Sequence, residues 1–337
     1  MKKPLSPPKT EGFAHPQMTL FQTFFCEDQK AQLSNTIELW DAIPKYSVSR
    51  QRQSRLRNAA GGLDPVTMNF QHRGQSYVMT LYPAKVLTRE QKWIEFFPTE
   101  KEELVEDALR KLATEKGLGF LDDHGAGVTF TARELLSLLA RHKHGIHYYD
   151  LINALEILRR TGIKIALAGE QKFFFDSSIL TELGTISRED WRKDPSAKWY
   201  ARFNSLIEAC IRAQTYRQFD FAQMMAHSSQ LARWLYKRMA HLYLQASITD
   251  PYRISLTTVK RDSGLLNASS LRFDARSLEK ALSEMKTQGV LVDIQQERRY
   301  GPRKTLIDAL YVLTPHPRFI RHVKLANKRA QWLKETS

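Results

Sequence analysis

The sequence predicts an α+β fold made of two similar domains in tandem behind a disordered N-terminal arm. Three observations predict it. The first is the stretch 272–292, RFDARSLEKALSEMKTQGVLV, where Leu278, Ala281, Leu282 and Met285 recur at helical steps, one apolar stripe on a helix. Asp274 stands where an N-cap belongs and Gly289 where a C-cap belongs. Val290 and Val292 then alternate like the start of a strand. The second observation is a copy of this stretch at 150–165, DLINALEILRRTGIKI. Without a gap, Ala154 and Leu155 fall on Ala281 and Leu282, Leu158 on Met285, Gly162 on Gly289, Ile163 on Val290 and Ile165 on Val292. Self-similarity of this kind marks a repeated unit. The third is the order around each copy, helix–helix–turn–helix–hairpin, which is that of a winged helix.

Composition fits two such domains. A chain of 337 residues, 42% hydrophobic, holds two ordinary cores. Lys+Arg 51 against Asp+Glu 36 leave a formal charge of +15, which points to nucleic acid or an anionic surface. No run of about 18 apolar residues exists, so no membrane span is expected. The leader MKKPLSPPKT lacks the apolar segment of a secretory signal. Two cysteines, Cys26 and Cys210, exclude a disulfide framework and fit a reducing cytoplasm.

In chain order, residues 1–75 read as a flexible basic arm. Pro4, Pro7, Pro8 and Pro16 keep its start unfolded. Gln17, Met18, Thr19, Leu20 and Phe21 follow, and a Leu-Phe pair on an arm calls for a partner to bury it; docking on the domain core is the alternative. The run 45–57, KYSVSRQRQSRLR, carries five cations and no acid, a solvated arm or a phosphate track. The first domain is expected over 76–217. It opens with a strand at 77–82 and a helix begun by Thr99 with Glu102 and Glu103. A short strand follows at 128–130, then a helix capped by Thr131. The reading-type helix at 147–161 leads into strands at 163–168 and 172–175. Residues 186–203 read as a charged connection, 204–214 as the domain's last element and 219–223 as the junction. The second domain is expected over 218–337. A long helix at 228–245 comes first, with a strand at 254–256. A helix from Thr257 to about Gly264 and a turn at 267–270 follow. The second reading helix leads into a hairpin of 290–296 and 306–313, and a basic tail helix spans 317–334.

Two sets of residues are placed to meet DNA. Arg272, Arg276 and Lys280 fall four apart on the second helix, opposite its apolar stripe, as a major-groove reading face requires. The hairpin tip, with Arg298, Arg299, Arg303 and Lys304 around Gly301-Pro302, suits phosphate or a minor groove. On the first helix His147, Tyr149 and Asn153 are placed to reach phosphate or base edges. No phosphate loop, paired-cysteine metal spacing or nucleophile elbow occurs, so no catalytic residue, metal or cofactor is expected. His142, His144, Tyr148 and Tyr149 resemble the metal-bound histidine pair and tyrosine nucleophile of rolling-circle nickases and relaxases. Lys143 stands where that family has a bulky apolar residue, and the tract lies in a helix–turn–helix connection rather than on a strand.

Residues 17–21 resemble the sliding-clamp-binding pentapeptide of bacterial replication proteins, Gln-Leu-Ser/Asp-Leu-Phe, with Met18 and Thr19 as mild replacements. In that motif the Leu-Phe pair fills a pocket and Gln17 would bond at its rim. Tandem winged helices, strong basicity and this pentapeptide together resemble the plasmid replication initiators of the RepA/TrfA type. The resemblance covers about residues 76–337 plus the pentapeptide, in order and composition rather than in a long motif. It implies binding to repeated origin sequences (iterons), opening of an AT-rich stretch with contact to its single strand, and recruitment of the sliding clamp, host initiator and replicative helicase. It also implies a monomer–dimer balance and control of copy number. The other function classes are a nickase using Tyr148 or Tyr149 and a winged-helix transcriptional repressor.

Overall fold

The computed structural model describes residues 33–115, 118–169, 173–185, 194–213 and 216–336. The first part of the chain runs through β1 (Leu33–Ile37), α1 (Glu38–Ala42), α2 (Arg50–Leu56), β2 (Val66–His72), β3 (Gln75–Tyr82), β4 (Ala84–Leu87) and β5 (Trp93–Phe96). The first helix–turn–helix follows as α3 (Glu100–Ala113), β6 (Gly119–Asp122), β7 (Gly125–Thr131), α4 (Ala132–Arg141) and α5 (Tyr148–Arg160), with β8 (Gly162–Leu167), β9 (Phe173–Ser178), β10 (Leu180–Thr185), β11 (Lys198–Phe203) and α6 (Ser205–Arg212). The second domain contains β12 (Tyr216–Asp220), α7 (Phe221–Met225), α8 (Gln230–Leu242), β13 (Tyr252–Ser255), α9 (Leu256–Ser263), α10 (Leu271–Thr287), β14 (Leu291–Tyr300), β15 (Leu306–Pro315) and α11 (Pro317–Thr336). This is the expected α+β fold of two winged helices, and among the described residues the strands pair antiparallel.

The helix ends follow local rules. Thr99 with Glu102 and Thr131 with Glu134 form capping boxes that start α3 and α4. Asn204 accepts from the amides of Leu206 and Ile207 to start α6. Gly264 ends α9 at φ +64, and a Cβ there would stand 2.8 Å from that of Ser47, so this turn needs glycine twice over. The internal copy shares its core: Ala154, Leu155, Leu158 and Ile163 are buried, as are Ala281, Leu282, Met285 and Val290. The match ends at the strand, where Ile165 is buried but Val292 is 39% exposed.

Three expectations about organisation need correction. Residues 33–75 are folded, not a flexible arm. Ile37, Trp40, Ile43 and Val48 enter the core, and Lys45 is 2% exposed. Strand β2 pairs with β3 from Val66↔Leu81 to His72↔Gln75, so a boundary at 75/76 cuts a hairpin. The cation run hid these apolar anchors. A boundary at 217/218 likewise cuts β12, which pairs with β1. The connection 186–203 ends in strand β11, which joins β10, β7 and β6 in one sheet; 186–193 lie outside the described residues.

Helices α3 and α8, the first helix of each winged unit, face each other through buried charge. The Lys237 ammonium lies 2.8 Å from Glu103 and 3.1 Å from Asp107. Arg233 meets Glu100 at 2.6 Å. Arg110 bonds both Asp41 and Asp107 at 2.7 Å, and Trp40 and Tyr46 donate to Glu106. Burial pushes the Asp41 carboxyl up, but Arg110, His241 and Lys237 together hold it well below the usual carboxylate range.

Candidate nucleic-acid interface

The second helix–turn–helix presents an open cationic face. Ser270 is the N-cap of α10. Asp274 is not a cap: it is 1% exposed, pairs with Lys260 on α9 and accepts from the Ala268 amide at 2.9 Å. It thereby ties the turn to both helices. Ala275, Leu278, Ala281, Leu282 and Met285 bury one side of α10. Arg272, Phe273, Arg276, Ser277, Lys280 and Ser283 are exposed on the other.

The hairpin β14–β15 continues this face. Its tip closes with the Gly301 amide donating to the Thr305 carbonyl at 2.8 Å. Arg303 and Lys304 stand at φ 58 and 57, a left-handed pair that few non-glycine residues adopt. The guanidinium of Arg272 donates to the Lys304 carbonyl at 2.7 Å. Helix start and wing tip are thus joined, with Arg272, Arg276 and Lys280 exposed on the helix and Arg299, Arg303 and Lys304 exposed on the wing. Arg298 is held against α10 itself: it pairs with Glu279 at 2.8 Å, and that hydrogen bond raises its pKa.

Sequence reasoning did not place α2 beside this surface. Arg52 reaches Asn267 in the α9–α10 turn at 3.3 Å, and Arg55 is exposed on the same helix. The rest of the 45–57 run is engaged elsewhere. Lys45 is buried, Arg50 bonds Glu102 at 2.8 Å, and Arg57 donates to the carbonyls of Gly61 and Glu95, each at 2.8 Å. No sequence signal separated Arg52 and Arg55 from these.

The first helix–turn–helix is built differently. Val86 of β4 packs on Ile157 of α5 with Ala84 and Phe96, so the β4–β5 hairpin covers one flank of the helix. His147 is its N-cap residue. Tyr149 is 47% exposed and lies under the Arg89 guanidinium, 3.8 Å from its ring centre. Asn153 is half-buried. Asp150 bonds Lys101 at 3.1 Å and Glu156 bonds Arg160 at 2.7 Å, so most charges here are matched. Arg89 adds a cation to the expected group.

The histidine tract is occupied by packing. His142 meets the edge of the Phe221 ring at 5.4 Å, and His144 Nε2 bonds the Met225 carbonyl at 2.8 Å. Burial lowers the pKa of both. A nitrogen bonded to a carbonyl carries its proton there and presents no lone pair to a metal. Among the described residues no group of three or more His, Cys, Asp or Glu is placed to hold a metal ion, and no helix is long and apolar enough to cross a membrane. Gln17, Met18, Leu20 and Phe21 lie outside the described residues.

No family model matches the chain, and no curated protein matches it. It is similar to a crystal structure of domains 2 and 3 of RctB, 11% identical, TM-score 0.49, covering 80% of this chain and 99% of that one. A second structure of the same RctB domains is 10% identical, TM-score 0.49, covering 81% and 98%. The Pi initiator protein in complex with iteron DNA is 15% identical, TM-score 0.43, covering 64% of this chain and 91% of that one. At such identities and scores the likeness assigns no function, which has to come from the site.

Proposed function

We propose that the protein is a plasmid replication initiator of the RepA/TrfA type, which binds duplex origin repeats sequence-specifically through α10 and the adjoining wing. The observation that carries this reading is the open cationic side of α10, with Arg272, Arg276 and Lys280 exposed, tied by Arg272 to a wing tip that exposes Arg303 and Lys304. A helix whose apolar side is buried and whose cationic side is open fits the major groove. The wing fits the flanking backbone. The first domain, with Tyr149, Asn153 and His147, serves as a second and less charged head. The net charge of +15 supplies sequence-independent affinity. Bending and opening of AT-rich DNA draw on that binding energy, with no chemistry of the protein's own. Gln17, Met18, Leu20 and Phe21 recruit the sliding clamp, a role that rests on the pentapeptide alone.

Footprinting on DNA flanking the protein's own gene tests this. Protection of direct repeats is expected, with log affinity falling steeply against log salt, about 0.9 per phosphate neutralised. Equal affinity for repeats and random DNA, or a flat salt slope, overturns it.

A further inference from the structure

Charge tracking leaves one side chain on the reading face unexplained. Phe273 is 55% exposed, in the first turn of α10 between Arg272 and Arg276. A phenyl ring gains nothing from phosphate, and it is a poor residue to leave in water among cations. The first turn is also where a groove-bound helix meets base edges. In the major groove the apolar group on offer is the 5-methyl of thymine, and phenylalanine is among the side chains that contact it. The guanidinium of Arg276 lies over the Phe273 ring, 5.6 Å from its centre. A stacked arginine keeps its fork free for the O6 and N7 of guanine. The two side chains therefore address neighbouring base pairs.

We infer that Phe273 reads a thymine 5-methyl group in the base pair next to the guanine read by Arg276. This rests on the proposed duplex reading and adds to it a specificity residue and the chemical group that it recognises. A protein partner for the same ring is the outcome that indifference to the methyl groups would indicate.

The test uses the full-length protein and a synthetic duplex of the footprinted repeat. Each thymine is replaced singly by deoxyuridine, which deletes the methyl and keeps every hydrogen-bonding group. One replacement should weaken wild-type binding about four-fold, the worth of one buried methyl, and the others should change little. Phe273→Ala should bind the thymine duplex more weakly and lose the thymine–uridine difference. Phe273→Leu should keep most of it. Exposure of the ring predicts unchanged melting temperatures for both variants. A wild-type protein indifferent to every replacement overturns the inference, as does Phe273→Ala retaining the full difference. If the repeat still outcompetes a scrambled duplex in that case, only the role of Phe273 falls. If it does not, the duplex reading falls as well.

Discussion

Lys237→Met should be the most damaging single change at the contact between the two domains. The ammonium is buried between Glu103 at 2.8 Å and Asp107 at 3.1 Å. Methionine fills similar volume without charge, so the loss is electrostatic rather than a cavity. Deleting one partner of a buried pair costs about 3–5 kcal/mol, because the other charge stays buried without compensation. Here the carboxylates keep some support: Asp107 retains Arg110 at 2.7 Å and Glu103 retains the Gln230 amide at 2.8 Å. The expected loss is therefore near the lower end, about 3 kcal/mol, a large share of the roughly 5–15 kcal/mol that holds a protein folded. Thermal unfolding should show a drop of about 6–12 °C, at a few degrees per kcal/mol for chains of this size. Adding Glu103→Gln to the variant should recover part of the loss, because it removes the stranded charge. A drop below 1–2 °C, or no recovery in the double variant, would refute the assignment of Lys237 as the counter-charge that these buried carboxylates require.

Four further outcomes follow from the site. Arg276→Ala and Lys280→Ala should each weaken repeat binding by about 1–3 kcal/mol and random-duplex binding much less. Arg299→Ala and Arg303→Ala should weaken both alike in the same titrations, whereas Arg298→Ala should do less than either because Glu279 already holds it. Burial lowers the pKa of His142, His144 and His227, so the unfolded chain protonates first; their contribution is complete above about pH 6.5 and is lost as pH falls through the folded values. Urea midpoints at pH 7.5 and 5.5 should differ accordingly, and equal midpoints would contradict this. Leu20→Ala with Phe21→Ala should abolish clamp capture in a pull-down with no change in melting temperature; a lowered melting temperature would place the pair in the core instead.

The sequence made some elements legible and hid others for physical reasons. The stripe of Leu278, Ala281, Leu282 and Met285 and the two threonine caps are local signals, and all of them stand in the structure. Asp274 shows the limit of a local rule. It is a good capping type near a helix start, yet Ser270 occupies that place and Asp274 bonds Lys260 and Ala268 across the turn. The acids of α3 were invisible as core residues. A helix reading EKEELVEDALRKLA looks solvated, and only the tertiary arrangement puts Glu103, Glu106 and Asp107 below 5% exposure. The fold of residues 33–57 was missed because its anchors are irregularly spaced among cations, and periodicity detects regular faces only. At the site, residue spacing alone reveals the cationic step of α10, whereas the hold of Glu279 on Arg298 and the reach of Arg52 to the turn depend on tertiary contacts.

The N-terminal segment explains why so much charge is buried between the domains. Trp40 and Tyr46 bond Glu106 on α3, the Tyr46 carbonyl accepts from Gln230 on α8 at 3.1 Å, and Arg52 touches the α9–α10 turn. One strap therefore contacts the first helix of both winged units and the turn before α10. Apolar residues of the same volume could hold two domains together as strongly, since a buried ion pair is often no better than a hydrophobic replacement. What the ionic contacts add is direction: each is satisfied in one alignment of α3 with α8 and left unpaired in another. On the proposed reading, that alignment fixes where α5 and α10 stand relative to each other, and so which spacing of half-sites on the DNA both heads can meet at once.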